Sequence, residues 1–226
     1  MRDYKKVLLA TPCRDGKFHA TYTAGILQST GLHGGWLPMA GQSDIYVARN
    51  TLANTFLQKP EFDTIVWIDS DIGFTRNDLK QLLESTEPVV SGLYTDKCQP
   101  PRPFCRGEKG EPIPDDEIPA IGMIETTFLP GGFLKVDRCV YEGIVAKGLA
   151  PEYGGVNGLP TFWQFYNGRV FNRNLLSEDY SFSALVREAG FTAWIDCGIR
   201  LNHDGRVYEQ AEAGQKRYDP TTGRDR

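Results

Sequence analysis

No Cys-x-x-Cys pair occurs in this chain, and its five cysteines, Cys13, Cys98, Cys105, Cys139 and Cys197, are odd in number and widely spaced. That pattern argues against a disulfide framework and against a cysteine zinc site, and a reduced compartment is expected. A long apolar run is also missing: Met1 to Lys6 leads straight into a short strand pattern. Neither a signal peptide nor a membrane span is expected, which places the protein in the cytoplasm, or in a host cytoplasm if its source is viral. An excess of positive charge is lacking as well. Lys and Arg number 25 against 29 Asp and Glu, a net charge of -4, so bulk charge gives no general attraction to nucleic acid. No glycine-rich loop with a signature lysine follows the first strand, which counts against phosphate-loop enzymes. From Gly205 onward Ile, Leu and Phe are absent, so residues 205–226 are expected to form a polar tail behind one domain over 1–204. What remains, 40% hydrophobic and 24% charged residues in a chain of 226, suffices for one well-packed domain.

Asp69 and Asp71 close the run Thr64-Ile-Val-Trp-Ile-Asp-Ser-Asp-Ile-Gly73. Ile65 to Ile68 reads as a buried strand, and the carboxylates sit where it leaves the core. Side chains two apart on a strand share a face, so both acids are expected to converge while Ser70 points away. Two acidic oxygens at the carboxyl end of a central strand suit a hard divalent cation that keeps positions open for phosphate oxygens. A polar turn before the helix at Thr75 is the other reading of the same residues.

Around that strand the pattern alternates. Lys6 to Thr11 reads as a strand, Pro12 to Gly16 as a turn, and His19 to Ser29 as a helix. This placement makes Thr11, Arg14 and Asp15 candidates to meet base, ribose or phosphate, with an ordinary turn as the alternative. Gly31 to Gly41 reads as a loop carrying Trp36. Ile45, Ala48, Leu52 and Phe56 recur at helical spacing in a helix that Ser43 or Asp44 can cap; its Arg49 is either solvated or directed at diphosphate or an aspartate. Thr75 and Asp78 open a third helix with a capping-box pattern. Pro88 to Tyr94 reads as a buried strand, and the succession predicts a mostly parallel sheet with helices on both faces. Residues 96–119, rich in proline and carrying Lys97, Arg102, Arg106 and Lys109, read as a long loop or lid. Gly131 and Gly132 let a backbone approach a ligand or make a bulge. Asp137 can cap a helix ending at Gly148. The aromatics from Tyr153 to Phe171 either pack in the core or stack on a sugar or base. Ser177 is a capping residue for a helix whose first turn holds Glu178 and Asp179. Thr192 to Cys197 read as a further strand, and His203 is a lone imidazole that can ligate a metal or simply pack.

Taken in order, Val-Ala-Arg-Asn at 47–50, Val-Trp-Ile-Asp-Ser-Asp at 66–71, Gly131-Gly132-Phe133, Ser-Glu-Asp-Tyr at 177–180 and His203 resemble the nucleotide-sugar-dependent glycosyltransferases of the GT-A fold. The resemblance runs from Lys6 to His203 and looks closest to the branch holding the fungal Anp1-type mannosyltransferases and small viral or bacterial relatives. It implies a single α/β, Rossmann-like domain. It implies that Asp69 and Asp71 form an Asp-x-Asp motif for Mn2+ or Mg2+ and diphosphate, completed by His203. Asp15 and its neighbours would meet the nucleoside, and Glu178 or Asp179 would serve the acceptor. The proline-rich insertion and short C-terminus depart from the membrane-anchored fungal enzymes.

The expected reaction is therefore transfer from a UDP- or GDP-sugar to an acceptor hydroxyl. The cofactor-binding set is Thr11, Arg14, Asp15, Arg49, Asp69, Ser70, Gly131 and Gly132. The metal set is Asp69, Asp71 and His203, with Asp179 or Glu178 catalytic. The acceptor is open: glycan, protein, small molecule, or a hydroxymethylated base in viral DNA, which the basic residues of the lid and Lys216, Arg217, Arg224 and Arg226 keep in play. A sugar nucleotidyltransferase and a non-catalytic nucleotide-sugar or carbohydrate-binding protein are the rival readings.

Overall fold

The computed structural model describes residues 2–96, 102–104, 106–107, 111–155, 160–171, 173–203, 206–207, 218–219 and 224–225; Lys97, Lys109, Lys216, Arg217 and Arg226, considered above for their charge, lie outside these. Three units of strand and helix open the chain. β1 (Val7–Cys13) leads to α1 (Ala20–Gln28), β2 (Gly35–Ala40) to α2 (Ile45–Leu57), and β3 (Thr64–Ile68), with the two-residue β4 (Ile72–Gly73), to α3 (Arg76–Glu84). β5 (Val89–Leu93), β6 (Met123–Glu125) and β7 (Phe133–Asp137) follow, then α4 (Arg138–Ala146). Two short hairpins, β8 (Glu152–Gly154) with β9 (Thr161–Trp163) and β10 (Arg169–Phe171) with β11 (Asn174–Leu176), precede α5 (Glu178–Glu188). β12 (Trp194–Arg200), β13 (Asn202–His203) and β14 (Arg206–Val207) come last before a small antiparallel pair, β15 (Tyr218–Asp219) and β16 (Arg224–Asp225).

Seven strands form the central sheet in the order β2-β1-β3-β7-β5-β12-β6. Five of the seven run one way; β7 and β6 are reversed against their neighbours. Strand residues alternate between two cores, as the period of two requires. Leu8, Ala10, Ile65, Trp67, Leu134 and Val136 pack with the inner faces of α2, α4 and α5. Val7, Leu9, Val66, Ile68, Val90 and Phe133 pack with α1 and α3. Helices thus cover both faces, and each fully buried Val, Leu, Ile or Phe side chain contributes about 1.5–3 kcal/mol.

The capping signals translate unevenly. Thr75 and Asp78 form the full capping box, and Asp44 caps α2 by accepting from the Tyr46 amide at 2.9 Å. Asp137 stands at the N-cap of α4, but its carboxylate is drawn to Arg2 at 2.6 Å and to the Thr64 hydroxyl at 2.7 Å. Gly31 to Gly41 is not all loop: Gly35–Ala40 is the edge strand β2, parallel to β1. Only Leu37 and Met39 turn inward, and Pro38 is tolerated because β2 pairs on one side alone. Most aromatics after Ala150 do pack: Phe165 and Tyr166 are buried, whereas Tyr153 is 46% exposed. β14 pairs with β13, so strand pairing crosses the boundary expected at residue 205. Among the described residues no helix is long and apolar enough to cross a membrane.

Candidate active site at the carboxyl edge of the sheet

β3 ends at Ile68, so Asp69 and Asp71 stand in a turn, closed by the Ile72 amide donating to the Asp69 carbonyl at 3.0 Å. Strand geometry therefore does not hold the two carboxylates together, and they part company. Asp69 is taken by Arg49 of α2, whose Nη2 donates to both carboxylate oxygens at 2.9 and 3.1 Å. The same guanidinium reaches Glu178 Oε1 from Nε at 3.4 Å and the Gly131 carbonyl from Nη1 at 3.3 Å. Arg49 is 2% exposed, and its Cζ lies over the rings of Trp67 and Tyr166 at 5.5 and 5.9 Å. Burial works against its charge, but Asp69 and Glu178 more than offset that and raise its pKa further. Burial pushes the Asp69 carboxyl up to about 6; Arg49 opposes the shift, while Asp71, Glu178 and Asp179 add to it.

Asp71 meets His203 instead. Backbone pairing of β13 with β4 sets His203 opposite Ile72, and its Nε2 lies 3.7 Å from Asp71 Oδ2. The His203 Nδ1 is 2.5 Å from the Thr95 carbonyl, which can only accept, so Nδ1 donates there and Nε2 is the ring nitrogen that faces the carboxylate. A backbone carbonyl on one imidazole nitrogen is the usual orienting partner of a metal-binding histidine, and a donor pair of one nitrogen and one carboxylate suits Mn2+ better than Mg2+, whose ligands are oxygens. Among the described residues no three His, Cys, Asp or Glu side chains group closely enough to hold an ion by themselves. Of the expected trio, Asp71 and His203 face each other, while Asp69 binds the Arg49 guanidinium.

Gly131 and Gly132 face the protein with all four backbone polar groups. The Gly131 amide donates to Asp179 Oδ2 at 3.3 Å and its carbonyl accepts from Arg49. The Gly132 amide donates to the Tyr94 hydroxyl at 2.7 Å, and its carbonyl accepts the Asp69 amide at 2.9 Å. A Cβ on Gly132 would come within 2.6 Å of the Tyr94 oxygen, and one on Gly131 within 3.0 Å of Arg49. Neither amide is left for a phosphate, so the pair reads as a tie that positions Asp69, Arg49 and Asp179. Asp179 Oδ1 also accepts from the Ser177 hydroxyl and, at 2.8 Å, from the Tyr180 amide; Ser177 spends its side chain there and does not cap α5.

The nucleoside candidates lie at the end of β1, the strand beside β3, and in the loop that follows it. Thr11 is fully buried and its hydroxyl meets that of Tyr22 at 2.6 Å. Arg14 and Asp15 are exposed, Asp15 binding the amide and ammonium of Lys17 at 3.1 and 3.3 Å. Their loop is nevertheless tied to the motif, since the His19 amide donates to the Ser70 carbonyl at 2.9 Å. What is described of the proline-rich segment folds back on the same edge: the Phe104 amide donates to the Tyr94 carbonyl at 3.0 Å, and Arg106 Nε approaches the Tyr180 hydroxyl at 3.4 Å. Tyr94 and Thr95 were not singled out from sequence. The available signal was position, at the carboxyl end of a buried strand on the same edge as Asp69.

The architecture is a Rossmann-like α/β fold, a mostly parallel sheet with helices on both faces and a polar cluster on one sheet edge. Among solved structures, the chain is similar to A197 from STIV, at a TM-score of 0.57 and 13% identity over 95% of this chain and 99% of that one. It is also similar to GalNAc-T7 crystallised with UDP, GalNAc and Mn2+, at a TM-score of 0.48 and 11% identity over 87% of this chain and 43% of that one. No protein-family model matches the chain, and no curated protein matches it either.

Proposed function

We propose that this protein is a metal-dependent glycosyltransferase that moves a sugar from a UDP- or GDP-sugar to an acceptor hydroxyl. The observation that carries the reading is the division of labour at one sheet edge. Asp71 with the oriented His203 offers a divalent cation site, and a few ångströms of backbone away Arg49 binds Asp69 and Glu178 together. Asp71 and His203 would hold Mn2+ or Mg2+, which when bound supplies positive charge for the departing diphosphate. Asp69, neutralised by Arg49, shapes the edge beside it and keeps the buried guanidinium in place. On the acceptor side Asp179 has both oxygens occupied by hydrogen-bond donors. Glu178 has Arg49 as its one partner among the described residues, which leaves Oε2 to take the acceptor proton.

Asp71→Ala tests the assignment. Wild type is expected to be stabilised against heat by UDP- or GDP-sugar only when Mn2+ is present, and to hydrolyse the donor slowly. The variant is expected to keep its unliganded melting temperature within a few degrees while losing both effects. Equal Mn2+-dependent stabilisation in the variant would remove Asp71 from the site. Pyrophosphate as product in place of nucleoside diphosphate would establish the nucleotidyltransferase instead.

A further inference from the structure

The acceptor is the part of this reaction the active-site cluster leaves unnamed, and a cavity beside α2 bears on it. Next to Arg49 on α2, about 100° further round the helix, Asn50 begins the floor of a cleft of about 300 Å³ between α2 and the β8–β9 hairpin. Val47 and Thr51 complete the α2 wall, and Glu152, Tyr153 and Gln164 form the other. That volume is at the lower end of the range for small-molecule pockets.

Its lining divides by chemistry. The Asn50 amide is spent on the backbone of Phe165 and Tyr166, at 2.5 to 2.9 Å, so it builds the floor and does not reach outward. The Tyr153 ring is backed by Phe162 at 5.6 Å and keeps 46% of its surface open. Among the described residues the Glu152 carboxylate, the Tyr153 hydroxyl and the Gln164 amide have no hydrogen-bond partner, and all three border the same space. A flat ring beside an acid and an amide matches a pyranose, which offers C–H groups on one face and hydroxyls around its rim. Among the described residues no Lys or Arg lines the cleft. Duplex DNA would bring phosphates that need such cations, and it would meet Glu152 instead.

We propose that this cleft seats a sugar ring of the acceptor, which makes the acceptor a carbohydrate. The inference rests on the glycosyl-transfer reading, and its test separates the two. Saturation-transfer NMR on the full chain with methyl glucoside, methyl mannoside and methyl galactoside, in wild type, Tyr153→Ala and Gln164→Ala, reads the cleft. Mn2+-dependent donor hydrolysis in the same three proteins reads the active site. The expected result is saturation of at least one glycoside by wild type, an affinity about tenfold weaker in Tyr153→Ala, and unchanged donor hydrolysis in both variants. Absence of binding by any glycoside, or equal binding in Tyr153→Ala, overturns the sugar cleft. Glycosylation of hydroxymethylated duplex DNA at the same rate in wild type and Tyr153→Ala overturns it too. Donor hydrolysis absent from wild type counts against the transferase alone, and glycoside binding lost in Tyr153→Ala would still support the cleft.

Discussion

A tyrosine hydroxyl that sequence did not mark holds together both halves of the active-site cluster. The Tyr94 oxygen accepts the Gly132 amide, and the other face of that glycine fixes the Asp69 amide. The ring of Tyr94 meets His203 edge to face, with centroids 5.4 Å apart. Tyr94→Phe removes only the hydroxyl and keeps the ring contacts with His203 and Phe104. It leaves a buried backbone donor unpaired, a loss of about 1–3 kcal/mol. Urea unfolding is expected to show that loss, and Mn2+ titration followed by electron paramagnetic resonance is expected to show about tenfold weaker binding, because Gly132 anchors the Asp69 amide at the start of the turn that carries Asp71. Wild-type stability and Mn2+ affinity in the variant would mean that the diglycine turn holds itself.

Helix α2 shows which parts of the fold were legible in the sequence and which were not. Ala48, Leu52 and Phe56 are buried where their spacing put them, since a helix against a sheet leaves a 3.6-residue imprint. Its Arg49 was left between solvent and ligand, because the partners that decide the matter lie far off in the chain. Asn54 left no imprint at all, yet with Asn50 it behaves as a strand edge made of side chains. It accepts the Trp163 amide at 2.9 Å and donates to the Trp163 carbonyl at 2.8 Å. β2 was read as loop for a related reason, as a one-sided edge strand carrying proline lacks the apolar run of a central one. The reversal of β7 was likewise hidden, because strand direction is a property of connections and not of residues. Asn54→Ala should therefore unpair both Trp163 groups and loosen the segment that walls the sugar cleft. Hydrogen exchange at the Trp163 amide is expected to quicken by about tenfold or more, with the exchange of core strand β1 unchanged. Identical exchange at Trp163 would show that packing of Phe165 and Tyr166 holds the segment unaided.

Across the whole molecule the two ends of the sheet do different work. β7 runs from Phe133, level with Ile68 at the active edge, to Asp137, level with Thr64 at the far one. Toward that far end lies Lys135, fully buried in the sheet, its ammonium donating to the Ser85 carbonyl at 2.8 Å and 3.9 Å from Asp137. Arg2 closes the same end by binding Asp137 and the Leu83 carbonyl. Burial pushes the Lys135 ammonium down from 10.5 to about 8; Asp137 opposes the shift and Arg2 adds to it. Between those two values the unfolded chain binds more protons than the folded one, so this residue makes stability rise with pH from about 8 to 10.5. Tyrosines and cysteines whose pKa is raised in the fold pull the opposite way over the upper part of that range, so the comparison must be with a variant. Lys135→Met keeps most of the length of the side chain and removes the titration. Urea unfolding at pH 7.5, 8.5 and 9.5 is expected to show the stability of wild type gaining on that of the variant as pH rises. Because the Lys135 ammonium lies toward the opposite end of the sheet from Asp71, Mn2+ affinity at pH 7.5 is expected to be the same in both. A constant difference in stability across the three pH values would show that the ammonium keeps an ordinary pKa through its carbonyl and carboxylate partners.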